Sequence, residues 1–396
     1  MKEYITIHQV GPLHDLTIEV KPLTVVIGPS SSGKSILMKV LALFRYLFKM
    51  ANVRSYLHNA NISRSPFRLR FDQLTKANGL HALFGPASQV TYAVEFDDGT
   101  RYEIKYQNKK LATLPAIANA HLSFWKESYI SESRNMIPNW LAHPAANRNA
   151  SMGFYFNETL HDFDRSSDRG VHVALPHVGM TYDVHIAGGI KRYTVTPTDG
   201  RHATITLDQA SSGVQTSAAI PIILNYFAHD FSFTDAFRES VLSYLFEGGR
   251  LRDYKPTIEF TALSKALHVH IEEPELSLDP MSQCRLVECV VDLMHQASNN
   301  ERRLHVMMAT HSPYVLTILN CLIHAAQAGA KHPDQAAAII PQQYWMDHTQ
   351  VAAYKLTDGH IEDLVDDEIH FIKAEEIDHV STHVYNLEDQ LSALDD

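Results

Sequence analysis

The residues best suited to chemistry begin at Gly28. The run GPSSSGKS, Gly28 to Ser35, matches G-x-x-x-x-G-K-[ST], with Pro29, Ser30, Ser31 and Ser32 at the variable positions. Backbone N–H groups of such a loop wrap phosphates, and a helix opening at its end adds positive potential. Gly28 and Gly33 permit close backbone approach, Lys34 reaches the β- and γ-phosphates, and Ser35 offers a hydroxyl to Mg²⁺. A second cluster lies in HVHIEEPELSLDP, residues 268–280, where an apolar strand ends in two carboxylates. Glu272 suits a Mg²⁺ shell, and Glu273 suits a general base that polarises an attacking water. A Glu-Glu pair at a strand end is by itself an ordinary solvated terminus, and the phosphate loop gives it meaning.

Two further stretches fit the same chemistry. In ATHSPYVL, residues 309–316, His311 follows another apolar strand, where an imidazole can donate to the γ-phosphate or position the water. In QASSGVQTS, residues 209–217, a turn of small residues opens a helix whose N-terminus can bind phosphate through Ser212, Gly213 and its free N–H groups. One histidine among 24, or one Ser-capped helix, carries little weight alone. Their order along the chain carries more.

These groups need elements to hold them. Alternation predicts strands over 2–8 and 16–20, then an apolar strand LTVVIG at 23–28 that feeds the loop, and a helix over 35–49. Strands follow at 89–96 and 101–107, joined by the turn Asp97-Asp98-Gly99-Thr100, and ESYIS adds another that ends near Arg134. Residues 138–170, rich in Asn, Pro, Ser and His, read as an irregular insertion. A three-stranded meander is expected over 180–186, 190–196 and 202–207, and a helix over 215–226. The last third alternates strand and helix: 268–273, 281–297, 303–310, 313–328, then strands at 343–348 and 352–364. The expected class is α/β with a mixed sheet, an antiparallel β subdomain and helical insertions, without a coiled coil.

The order GPSSSGKS, SSGVQ, HIEEPE, SLDP, THS resembles the ABC-type ATPase heads of the SMC, RecF and OLD group. The resemblance implies a P-loop NTPase fold over residues 1–350 that uses ATP and Mg²⁺. It implies a Walker A at Gly28 to Ser35 and a signature at Ser212, Gly213 and Gln215. It further implies a Walker B at Glu272 and Glu273, a D-loop at Asp279 and a switch histidine at His311. In this group the signature of one subunit completes the nucleotide site of another, which implies an ATP-sandwiched homodimer or higher even oligomer. The signature reads SSGVQ rather than LSGGQ, and the Walker B ends Glu-Glu rather than Asp-Glu. Both variants resemble compact OLD-like ATPases more than transporter ATPases. Gln73 and Gln89 are both candidates for the Q-loop glutamine. YISESR, residues 129–134, resembles a strand-and-loop of this group and makes Arg134 a candidate for structural support or nucleotide contact.

No long heptad run separates Walker A from signature, which excludes a coiled-coil tethering machine. The OLD nucleases carry a TOPRIM domain after the switch, and Asp366-Asp367-Glu368 does not look like its metal cluster, so no nuclease site is expected in this chain. The closest functional resemblance is to stand-alone ATPases of Septu-type and retron-associated anti-phage systems, which implies a regulatory ATPase acting on a separate nuclease or toxin. The alternative is a RecF-like DNA-repair ATPase, with nucleic acid bound through residues 39–76. That stretch holds Lys39, Arg45, Lys49, Arg54, Arg64, Arg68, Arg70 and Lys76 against one acid, Asp72, and reads as a basic helical insertion.

Composition sets the outer limits. Of 396 residues 45% are hydrophobic, enough for a sizeable core, and the formal charge is −11. Val351 to Asp396 holds 13 acidic and 2 basic residues, a net of 2 − 13 = −11, so the body balances at 32 against 32 and residues 351–396 form an acidic segment. A globally basic nucleic-acid coat is excluded. Cys284, Cys289 and Cys321 have no metal-ligand spacing and read as packing residues in a reducing compartment. No secretory leader or membrane-length apolar run is found, and a cytoplasmic protein without a membrane partner is expected.

Overall fold

The computed structural model describes residues 1–62, 69–143, 152–168, 170–200, 203–300, 302–366, 368–373, 387 and 390. The first third runs β1 (Lys2–Val10), β2 (Leu13–Val20), β3 (Leu23–Ile27), α1 (Lys34–Asn59), α2 (Phe71–Ala77), β4 (Phe84–Glu95), β5 (Arg101–Gln107), β6 (Lys110–Leu111) and β7 (Ser123–Ile130). Next come α3 (Ile137–Ala142), α4 (Phe154–Ser166), β8 (His172–Leu175), β9 (Met180–Ala187), β10 (Ile190–Pro197), β11 (Ile205–Thr206), α5 (Ser212–Ser217), α6 (Ala219–His229), α7 (Phe233–Phe237) and α8 (Ser243–Glu247). The last third holds β12 (Ser264–Glu272), α9 (Pro280–Asn299), β13 (Arg303–Thr310), α10 (Pro313–Gly329), α11 (Pro333–Ile339), β14 (Val351–Thr357) and β15 (His360–Asp363).

The central sheet has the order β15-β14-β3-β13-β12-β7. All its pairs are parallel except β14 with β15, so it is mixed. Its inner strand β3, LTVVI, is buried throughout, as a near-continuous apolar run in a parallel sheet should be. A five-stranded antiparallel sheet, β2-β1-β4-β5-β6, covers it, and β8 to β11 form a separate four-stranded meander. Helix α1 lies between the two larger sheets, and Arg45 shows how. Its guanidinium donates to Glu3 of β1 at 2.6 and 2.8 Å and lies 3.4 Å from His270 of β12. The α/β architecture with a mixed central sheet and an antiparallel β subdomain follows the expected class, and no coiled coil occurs among the described residues.

Several expectations are corrected. Residues 39–76 are not a separate basic insertion: α1 continues through Lys49 to Asn59 with Lys39, Lys49 and Arg54 half-buried, while Arg70 and Lys76 beyond it are exposed. Arg45 is fully buried, and Lys39 approaches Glu272 at 3.7 Å. Burial pushes the Lys49 ammonium down to about 8. Arg64 and Arg68 lie outside the described residues. The stretch 138–170 contains α3 and α4 rather than irregular chain alone, with 144–151 and 169 outside the described residues. QYWMDH forms no strand. Met346 is buried and the Trp345 ring packs where a Cβ on Gly329 would stand, so its apolar residues serve helix packing. The boundary at 350 cuts the central sheet, because β14 pairs directly with β3. Residues 351–363 therefore belong to the body, and most of the acidic run beyond 373 lies outside the described residues. Of the cysteines, Cys289 is buried but Cys321 is exposed, which removes Cys321 from the packing role.

Candidate active site

The phosphate loop follows β3 directly and ends in α1, the strand-loop-helix setting that the motif needs. Two glycines are required by its geometry. A Cβ on Gly28 would lie 2.1 Å from the Leu356 carbonyl oxygen of β14, and Gly33 adopts φ 105°, a left-handed value suited to glycine. The Lys34 ammonium donates to the carbonyls of Gly28 and Pro29, both at 2.8 Å, and lies 3.4 Å from His311 Nδ1. Desolvation lowers its pKa, against the opposing pull of Glu273 and Glu275.

Strand β12 delivers the carboxylates. Glu272, 1% exposed, accepts from Tyr129 Oη at 2.7 Å and from the Glu132 backbone N–H at 3.4 Å. Burial pushes its pKa up, but contacts with Glu132, Lys39, Tyr129 and Ser35 outweigh burial and hold it below the usual carboxylate value. Glu132 is pushed the other way, up to about 7, by its hydrogen bond with Glu272 and then by burial. Of this pair, Glu132 holds its proton to higher pH than Glu272 does.

Glu273 is partly exposed, with its Oε1 3.5 Å from His311 Nε2. Its backbone is unusual for a non-glycine residue, at φ 44°, and its N–H donates to the Ala309 carbonyl at 2.8 Å. The His311 backbone N–H donates to Glu275 Oε1 at 2.6 Å. His311 thus stands between Lys34 and Glu273. A cavity of about 460 Å³ is lined by Ser30, Ser31, Gly33, Lys34 and Ser35 on one side and by Glu272, Glu273 and His311 on the other.

The signature residues stand elsewhere. Ser212 and Gln215 line a second cavity of about 710 Å³ with Thr216 and Ser277. The Gln215 side-chain amide donates to the Asp208 and Ala210 carbonyls, both at 2.8 Å, and so fixes the turn before α5. A Cβ on Gly213 would meet the Ser277 carbonyl oxygen at 2.9 Å, so α5 abuts the turn that leads to Asp279. Asp279 lines neither cavity. Its carboxylate caps α9, accepting from the Met281 N–H at 3.0 Å and the Ser282 N–H at 3.2 Å.

The residues present fit a magnesium nucleotide. The loop leaves the Ser32 hydroxyl buried without a hydrogen-bond partner. Ser35 and Glu272 are the hard oxygen ligands that Mg²⁺ prefers. Sequence reasoning missed Tyr129, Glu132, Lys39 and Glu275. The first two stand inside YISESR, and Glu275 follows two residues after Glu273, so adjacency to motifs already found was the available signal.

No family model matches the sequence, and no curated protein is similar to it. Solved structures that align over nearly the whole chain include the following two. One is an SMC head domain from Thermotoga maritima, 9% identical, with a TM-score of 0.35, covering 91% of this chain and 97% of that chain. The other is the recombination mediator protein RecF-ATPrS of the RecFOR pathway, 10% identical, with a TM-score of 0.35, covering 92% of this chain and 98% of that chain. Likenesses at that distance assign no activity. The functional reading rests on the site.

Proposed function

We propose that the chain is an ABC-type ATPase subunit that dimerises around ATP and uses the cycle to control a separate effector, a nuclease or toxin, in bacterial anti-phage defence. The observation that carries the ATPase reading is the single cavity shared by the phosphate loop, Glu272, Glu273 and His311. Bound Mg²⁺ would neutralise charge on the β- and γ-phosphates. Lys34 would leave the loop carbonyls to meet phosphate oxygens, and Ser35 and Glu272 would hold the metal. Glu273 accepts the proton of the attacking water, and His311, already beside its carboxylate, orients that water.

The dimer reading is supported by the separation of the signature from the phosphate loop. Ser212 and Gln215 face a different cavity, so one subunit's nucleotide site lacks them until a partner supplies them. The OLD-like motif variants support regulatory work on a separate effector. A cytoplasmic setting belongs to this reading, and no helix among the described residues is long and apolar enough to cross a membrane. The RecF-like alternative loses Arg45, which is buried, while Lys39, Lys49 and Arg54 are half-buried and Arg70 and Lys76 stay exposed.

Glu273→Gln tests the chemistry. It should abolish turnover, leave ATP binding intact and stabilise an ATP-bound dimer in light scattering. Undiminished hydrolysis would sink the general-base assignment. For the effector, pull-down with the products of neighbouring genes should recover a nuclease or toxin in a nucleotide-dependent manner, and an assembly indifferent to ATP would remove the control role.

A further inference from the structure

Arg134 follows β7 in a short helical turn over Glu132–Met136, and its side chain is fully buried. It touches neither the phosphate-loop cavity nor the signature cavity. Its guanidinium instead donates to four backbone carbonyls. Nε reaches Thr216 at 2.9 Å, Nη1 reaches Ser131 at 3.1 Å and Glu272 at 2.5 Å, and Nη2 reaches Glu273 at 2.5 Å. No carboxylate is in hydrogen-bond contact with it among the described residues. Burial pushes its pKa down to about 10, against the pull of Glu275, Glu273, Glu272 and Glu132, so it stays charged at neutral pH. A charged fork taken from water and spent only on carbonyls is an expensive way to fill space, and an apolar side chain of that length would pack at lower cost.

What the fork connects is specific. Thr216 belongs to α5, the helix that carries Ser212, Gly213 and Gln215. Glu272 and Glu273 are the carboxylates of the phosphate-loop cavity. The Glu273 backbone holds a left-handed φ of 44°, and a non-glycine residue keeps such a value only where surrounding bonds fix it. Two such bonds are present: its N–H on Ala309 and its carbonyl on Arg134. The same α5 presses on Ser277, in the turn between Glu273 and Asp279.

We infer that Arg134 is a positioning residue that ties the signature helix α5 to the backbone of Glu272 and Glu273, so that a partner's nucleotide docking on α5 sets the geometry of this subunit's own Glu273. The inference rests on the dimer reading above and adds the route by which the two composite sites sense one another. A shift of α5 pulls on Thr216, the rigid planar guanidinium passes the displacement to the Glu272 and Glu273 carbonyls, and the Glu273 carboxylate moves with its backbone. Hydrolysis then responds to occupancy of both sites and not of one.

The test measures hydrolysis against ATP concentration for the full-length wild type, Arg134→Met and Arg134→Lys, alongside binding of a fluorescent ATP analogue and thermal melting. In Arg134→Met, kcat should fall about 100-fold while KM and analogue affinity stay within about 3-fold. The Hill coefficient should drop from about 2 to about 1. Lysine, with a point charge in place of a fork, should recover part of kcat but not the cooperativity. A lost kcat matched by an equal loss of analogue affinity would mark a merely structural residue and overturn the inference. Where Arg134→Met fails to fold, Arg134→Lys decides: full kcat with full cooperativity overturns it. A cooperative wild type with an equally cooperative Arg134→Lys removes this inference alone, whereas a wild type that hydrolyses without cooperativity removes the dimer reading as well.

Discussion

Replacing Arg45 with Met measures what the burial of this basic residue is worth. Arg45 makes two hydrogen bonds to the Glu3 carboxylate, at 2.6 and 2.8 Å, and Tyr92 Oη donates a third to Glu3 at 2.8 Å. Glu3 is 3% exposed. Methionine keeps most of the aliphatic stem and removes the charge, leaving a buried carboxylate with Tyr92 as its remaining side-chain donor. Removing one partner of a buried pair costs about 3–5 kcal/mol, a large share of the roughly 5–15 kcal/mol that holds a domain folded. Neutralising the survivor should help, so Glu3→Gln added to Arg45→Met should recover about 2 kcal/mol, a coupling within the range of contacting pairs. Urea unfolding followed by circular dichroism supplies both numbers. A single-mutant loss below about 1 kcal/mol, or a double mutant no more stable than the single, would refute the buried-pair reading. A surface Arg45 that tracked DNA would instead show intact stability and a shallower salt dependence of DNA binding.

Lys34→Ala should weaken nucleotide binding by at least about 10-fold, and a calorimetric titration showing unchanged affinity would contradict the phosphate-loop role. His177 gives a pH prediction. It is buried with Nε2 2.7 Å from Ser217 Oγ, and burial lowers its pKa from 6.5 to about 4. A depressed folded value means that the unfolded chain binds the proton first, so its contribution is complete above about pH 6.5 and is lost as pH falls toward 4. Melting temperature measured across that window should fall more steeply for the wild type than for His177→Gln, and parallel curves would exclude the assignment.

The parts of the site that were readable in sequence are those made by local pattern. GPSSSGKS, HIEEPE and THS each join a strand end to the residues just beyond it, so local pattern places each motif at a strand end, and the parallel pairing of β3, β13 and β12 then brings the three together. Partners that come from distant chain were not readable. Nothing near Arg45 announces Glu3, and the run of lysines and arginines in α1 therefore looked solvated. Composition hid α4 in a similar way. FYFNETLHDFDRS buries Phe156, Thr159, Phe163 and Ser166 at helical spacing, but its buried face also carries Asp162. That carboxylate is satisfied by Lys126 at 2.8 Å and Ser128 at 2.6 Å, two residues of β7 that no local pattern could supply. QYWMDH misled in the opposite direction, since its apolar residues answer to α10 and not to a strand neighbour.

The pairing of β14 with β3 bears on how the protein is made. The phosphate loop leaves the ribosome well before the two strands that flank its own, β13 and Val351–Thr357. Gly28 rests on the Leu356 carbonyl, so the loop lacks one wall until that residue arrives. Closing contacts of such long sequence separation is slow and leaves the early segment unpaired in the meantime. A nascent chain stopped before residue 351 should therefore hold every residue of the Walker A and still fail to retain ATP. Nucleotide would be captured only after β14 has been made, a quality check inherent in the strand order.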